Sequence, residues 1–82
     1  MSKASVLIIE DDRSLADVVA YNLRQEGYTV WVAHDGQDGI TQAKHHRPDC
    51  ILLDLMLPVV DGLDVCRRLR ADKTTKKSRI LC

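Results

Sequence analysis

Two short apolar runs in this 82-residue chain each break off on acid. Val6-Leu7-Ile8-Ile9 passes directly into Glu10-Asp11-Asp12, and Cys50-Ile51-Leu52-Leu53 passes into Asp54, with Leu55-Met56-Leu57-Pro58 behind it. A continuous apolar run of this length reads as a strand covered on both faces, the kind found in parallel sheets. Two such strands lying side by side and parallel gather several carboxylates at one edge. Like charges so gathered repel, and without compensation one of them holds its proton towards neutrality. A divalent cation relieves that conflict. The pattern reads as a Mg²⁺ site with a carboxylate nucleophile in it.

The rest of the chain supplies what such a sheet needs. A helix is predicted from about Arg13 to Glu26, with Leu15, Val18, Val19 and Leu23 on one stripe, Asp12 or Ser14 at its start and Gly27 as its stop. Tyr28 to Ala33 is β-branched and aromatic, a second strand. Asp35-Gly36 turns into a second helix near Gln37 to His46, with Ile40 and Ala43 inward, which Pro48 ends. After the strand Cys50 to Leu53, Asp61 is expected to cap a third helix running to about Ala71, with Leu63, Cys66 and Leu69 facing the core. Asp72 to Ser78 is polar and turn-like, and Arg79 to Cys82 opens a fourth strand. Alternating β and α elements imply right-handed crossovers and a parallel sheet with helices on both faces. Ligand sites in such sheets lie beyond the carboxyl ends of the strands, where strand order reverses. With strand order 2-1-3-4, that reversal and the acid cluster coincide.

Composition narrows the function classes. Apolar residues make up 45% and charged residues 29%, so the chain folds as one globular domain rather than staying disordered. Twelve basic and twelve acidic residues cancel, which gives no reason to expect nucleic-acid binding through this segment. No apolar run is long enough to span a membrane and no signal-peptide pattern opens the chain, so a cytoplasmic setting is expected. Three cysteines without paired spacing are neither a disulfide framework nor a zinc site. Cys50 and Cys66 are expected as small buried hydrophobes.

Taken together, these residues resemble the receiver domain of bacterial two-component response regulators. The resemblance is carried by Ile8-Ile9-Glu10-Asp11-Asp12 closing the first strand and Ala33-His34-Asp35-Gly36 before the second helix. Arg47-Pro48-Asp49 enters the third strand, and Asp54-Leu55-Met56-Leu57-Pro58 leads on to Asp61-Gly62. It implies a flavodoxin-like, doubly wound α/β fold. It further implies that Asp54 is the phosphoacceptor, attacking a phosphohistidine on a histidine kinase or phosphotransfer protein to form an acyl phosphate. Asp11 would bind Mg²⁺ directly, Glu10 through a metal-bound water, and Met56 through its backbone carbonyl. Such a set suits an ion that takes oxygen ligands in an octahedron and keeps several waters. The side chain two places after the acceptor influences hydrolysis of the phosphoryl group in this family, and an apolar Met56 implies a comparatively long-lived phosphoryl state.

The resemblance covers about two thirds of a receiver domain. The chain stops inside the fourth strand, so the family's last strand and last helices are lacking, and with them a Ser or Thr ending strand four and a Lys ending strand five. Lys73, Lys76 and Lys77 lie at the opposite end of the sheet from Asp54, across roughly 17–20 Å of strand, and read as a solvated basic loop. Ile80-Leu81-Cys82 would form a bare apolar edge. Either residues beyond 82 exist in the natural protein, or this piece forms a homodimer through that edge. Other residues have structural readings: Asp12 as a helix cap or a peripheral part of the metal site, His45-His46 and His34 at the surface, Trp31 packed between sheet and helix.

Three functions compete. The first is a phosphorylatable signalling switch rather than an enzyme. The second is a degenerate receiver acting as a binding or dimerisation module. The third is a Mg²⁺-dependent aspartyl-nucleophile phosphohydrolase, disfavoured because Met56 stands where such enzymes place a second acid and because the nucleophile would be expected on the first strand.

Overall fold

The computed structural model describes residues 4–53 and 59–81, the side chains of 59–63 excepted. Strand and helix alternate: β1 (Ser5–Ile9), α1 (Arg13–Gln25), β2 (Thr29–Ala33), α2 (Gly36–His46), β3 (Cys50–Leu53), α3 (Val59–Ala71) and β4 (Arg79–Leu81). The strands form one parallel sheet in the order β2-β1-β3-β4, as the sequence predicts. This is a flavodoxin-like α/β fold.

β1 is flanked on both sides, pairing from Ser5↔Thr29 to Ile9↔Ala33 with β2 and from Val6↔Cys50 to Ile9↔Leu53 with β3. Its central place explains its uninterrupted apolar run: Val6, Leu7, Ile8 and Ile9 are all buried. Each is worth about 1.5–3 kcal/mol of transfer free energy. In-register parallel pairing puts alternate residues on opposite faces. Leu7, Ile9, Ala33, Ile51 and Leu53 face α2 and α3, where they pack with Ile40, Ala43, Val65, Cys66 and Leu69. Val6, Ile8 and Val30 face the other way and pack with Ala20, Val19 and Leu23 of α1.

Ile40 and Ala43 of α2 and Cys66 and Leu69 of α3 are buried as expected, whereas α1 differs in phase. α1 buries Ala16 and Ala20 with Val19 and Leu23 beside them, whereas Leu15 and Val18 are about half exposed. The buried stripe starts one residue later than the larger side chains suggest, because two alanines let the helix lie close on the sheet. α3 begins at Val59, so position 61 falls in its first turn rather than before it. Val65 joins Cys66 and Leu69 in the core, and Leu63 is outside the described side chains.

The ends of α1 follow from local chemistry. Asp12 accepts the Leu15 N–H at 3.1 Å as N-cap. At the other end Gly27 adopts φ 95°, and the amides of Gly27 and Tyr28 donate to the Arg24 and Leu23 carbonyls at 3.0 and 3.1 Å. That left-handed turn suits glycine, and the bond pattern is a Schellman stop, with Tyr28 and Leu23 in the same apolar cluster.

The two outer strands are treated unequally. On β2, Arg24 donates to the Val30 carbonyl and Gln42 to the Val32 carbonyl, each at 2.9 Å. These are the outward acceptors of an edge strand, now occupied by side chains from both helical layers. On the α1 face, β3 and β4 are bordered by two open apolar cavities, of about 480 Å³ beside Cys50 and Leu52 and about 250 Å³ beside Leu15, Leu52 and Leu81. Cys50 is accordingly only half buried, and burial pushes its thiol pKa up.

Candidate functional site

Beyond the carboxyl ends of β1 and β2 the chain gathers Glu10, Asp11, Asp12, His34 and Asp35. Each is placed by the strand before it. The Glu10 amide continues the β1–β2 ladder by donating to the Ala33 carbonyl at 2.9 Å. The Glu10 carbonyl lies 3.0 Å from His34 Nδ1, so the imidazole carries its proton there and donates. Glu10 is 6% exposed, and its Oε2 accepts the Asp12 amide at 3.1 Å. A carboxylate buried this far is oriented rather than free to swing.

The remaining acids divide by role. Asp12 and Asp35 are N-caps of α1 and α2; Asp35 Oδ1 accepts the Asp38 amide at 2.8 Å. Asp11 is exposed between Glu10 and the cap. Of the two expectations for Asp12, the structure shows the cap.

β3 ends on Leu53, which pairs with Ile9. Neighbouring strands lie about 4.8 Å apart, so the backbone at Leu53 runs alongside the backbone at Ile9. Asp54, Met56 and Pro58 lie outside the described residues. Among the described residues no group of three or more His, Cys, Asp or Glu is placed to hold a metal ion; of the four predicted ligands, only Glu10 and Asp11 belong to that set.

A receiver-domain family model, that of the response regulator receiver domain, matches residues 6–82. The chain belongs to the response regulator receiver family. Solved structures agree with that membership. The N-terminal domain of a response regulator receiver protein from Methanoculleus marisnigri JR1 is 26% identical, with a TM-score of 0.89 over 96% of this chain and 64% of its own. A chemotaxis response regulator of Vibrio cholerae is 30% identical with a TM-score of 0.87, covering 96% of this chain and 66% of its own. The receiver domain of a sensor histidine kinase from Pseudomonas aeruginosa PAO1, described with a magnesium ion coordinated in its active-site cleft, is 33% identical. Its TM-score is 0.86, over 96% of this chain and 65% of its own. This receiver thus spans about two thirds of the length of the structures it resembles.

Sequence reasoning missed two contacts, one at this edge and one away from it. His34, expected at the surface, is half buried against the Glu10 carbonyl; the register that pairs Ala33 with Ile9 already puts the next residue beside Glu10. His46, expected to be exposed like its neighbour, stacks on Trp31 with ring centroids 4.1 Å apart and planes 7° apart. That second contact lies at the far end of α2 and tethers the helix to the outer strand.

No described helix is long and apolar enough to cross a membrane.

Proposed function

We propose that this receiver takes a phosphoryl group from a histidine kinase or phosphotransfer protein onto Asp54, in a Mg²⁺-dependent step. The observation that carries the reading is the pairing of Ile9 with Leu53 at the point where strand order reverses. It sets the last residues of β1 and β3 side by side, and Glu10-Asp11 and Asp54 are the residues that follow them in the sequence.

The donors fit a hard divalent cation. Glu10 offers a buried carboxylate whose orientation is fixed by the Asp12 amide, and Asp11 an exposed one beside it. Together with Asp54 and the Met56 carbonyl they form an all-oxygen set. The bound ion would supply charge neutralisation between a carboxylate and an incoming phosphoryl group. In this reading Asp54 is the nucleophile: one of its carboxylate oxygens forms a bond to phosphorus, and the phosphorus–nitrogen bond of the donor's phosphohistidine breaks. The released imidazole nitrogen retains the bonding electron pair and takes up a proton. His34, by holding the Glu10 carbonyl, fixes the backbone turn from which both metal carboxylates leave the strand.

A small phosphodonor such as acetyl phosphate, given with Mg²⁺ to the full chain, tests this directly. The expected result is a mass gain of one phosphoryl group that needs Mg²⁺ and disappears in Asp54→Asn. A folded chain that gains no mass from either a small donor or a phosphorylated kinase would overturn the proposal and leave a binding module.

A further inference from the structure

The amino ends of the strands carry the opposite charge from the carboxyl ends. We propose that the loop joining α3 to β4, with the turn between α2 and β3, forms a binding site for a phosphoryl-type oxyanion at the amino edge of the sheet. A cavity of about 420 Å³ opens there, with Arg47, Lys73 and Lys77 in its wall beside the hydroxyl residues Thr74 and Ser78. None of these three cations makes an ion pair among the described residues.

The nearby acids are already engaged. Asp49, which also borders the cavity, accepts the Ser5 amide and hydroxyl through Oδ2 at 2.8 and 3.1 Å. Asp72 accepts from Thr74 through Oδ1 and pairs with Lys44 at 3.3 Å through Oδ2. Three cations therefore face one carboxylate that is turned to another partner.

The loop is built rather than slack. Thr75 is fully buried and donates its hydroxyl to the Leu69 carbonyl at 2.6 Å. Ser78 donates to the Pro48 carbonyl, and the Arg79 amide to the Asp49 carbonyl at 2.9 Å. These bonds hold the lysine-bearing loop against the turn that carries Arg47. Arg47 itself is the left-handed C-cap of α2, at φ 50°, and its amide donates to the Ala43 carbonyl at 2.9 Å, so the helix ends just before Pro48 and Arg47 has a fixed backbone. The volume falls within the range of small-molecule sites and leaves room for the organic part of a phosphomonoester.

The test is a titration of the Asp54→Asn full chain, without Mg²⁺, followed by amide chemical shifts. That variant lacks the carboxylate proposed as the phosphoacceptor, so failure here says nothing about phosphotransfer. Inorganic phosphate, with ionic strength held constant by chloride, should produce saturable shifts confined to Arg47 and Lys73–Ser78. Arg47→Gln with Lys73→Gln and Lys77→Gln should weaken binding about tenfold, the product of three exposed ion pairs, whereas Lys76→Gln outside the cavity should not. Glycerol 3-phosphate, run in parallel, distinguishes an esterified ligand, which binds tighter than phosphate, from free phosphate, which binds at least as well. Shifts that never saturate, or a folded triple variant that binds phosphate as the parent does, would overturn the site.

Discussion

Replacing Gly39 with alanine isolates what positions the carboxyl edge. In the interior of a helix this change ordinarily gains roughly 1 kcal/mol from propensity. Here the added Cβ would stand 2.5 Å from Ile9 Cδ1, 2.8 Å from Cγ1 and 3.1 Å from Cγ2. Both branches of Ile9 are in the way, so a rotamer change cannot clear the contact, and Ile9 is fully buried in the central strand. α2 must lift from β1, an overpacking that costs about 1–3 kcal/mol. The net expectation is a loss of about 1 kcal/mol, which lowers the melting temperature of a domain this size by roughly 4–8 °C.

Gly36 provides the contrast: its Cβ would meet one Val65 methyl at 2.6 Å, with the next atom 4.0 Å away, a contact that a Val65 rotation can relieve. Gly36→Ala should therefore cost less than Gly39→Ala. Thermal unfolding by circular dichroism reads both. Ile9→Ala, itself costing about 2–5 kcal/mol, should reverse the sign of Gly39→Ala, because the obstructing atoms are gone. Stabilisation of the parent by the full propensity gain would refute the reasoning. So would a cycle with Ile9→Ala that is additive within about 0.5 kcal/mol.

Other substitutions probe separate parts of the fold. Arg24→Ala and Gln42→Ala, together, uncover the Val30 and Val32 carbonyls, and sedimentation should show more self-association than the parent, because an edge strand with open acceptors pairs readily. Thr75→Val keeps the shape but leaves the buried Leu69 carbonyl without its donor, a loss of about 1–3 kcal/mol read by urea unfolding. The Ser5 amide and hydroxyl hold the Asp49 carboxyl below its ordinary value of 3.8. A depressed folded-state pKa contributes stability that is present above the ordinary value and fades as pH falls through the depressed one. Carboxyl resonances should follow that order, with Ser5→Ala moving Asp49 back towards 3.8.

How far the sequence was legible depended on how each residue's role is set. Strand order and pairing were readable because β1 is buried on both faces and β3 on one, and a residue with no exposed option must be apolar. The phase of α1 was misread because Ala16 and Ala20 carry little hydrophobic signal, although small side chains are what allow close approach to the sheet. Thr75 looked like part of a polar turn, yet its hydroxyl satisfies a buried carbonyl six residues back. Arg24 and Gln42 left no trace in any pattern, since long polar side chains reaching backbone acceptors on a neighbouring strand obey no periodicity. At the candidate site, Glu10 and Asp11 were read from their place after β1, but the burial of Glu10 follows from the packing around it.

One alternative account of the acid cluster can be tested against its parts. In a doubly wound sheet the helix N-termini point to the carboxyl edge of the strands, so aspartates collect there as caps whether or not a cation binds. Asp12 and Asp35 are explained in full by that rule, each accepting an amide of the helix it starts. The same rule accounts for the bases at the other edge, where Arg24 lies in the last turn of α1 and Lys44, His45 and His46 in the last turn of α2. It does not account for Glu10, which precedes the cap by two residues and is buried, nor for Asp11, which caps neither helix. A buried carboxylate favours surroundings that pair it with a cation. A cation shared with Asp11 and Asp54 would supply that pairing, so neutralising Glu10 as Glu10→Gln should weaken the dependence of stability on Mg²⁺ while leaving both helix caps intact.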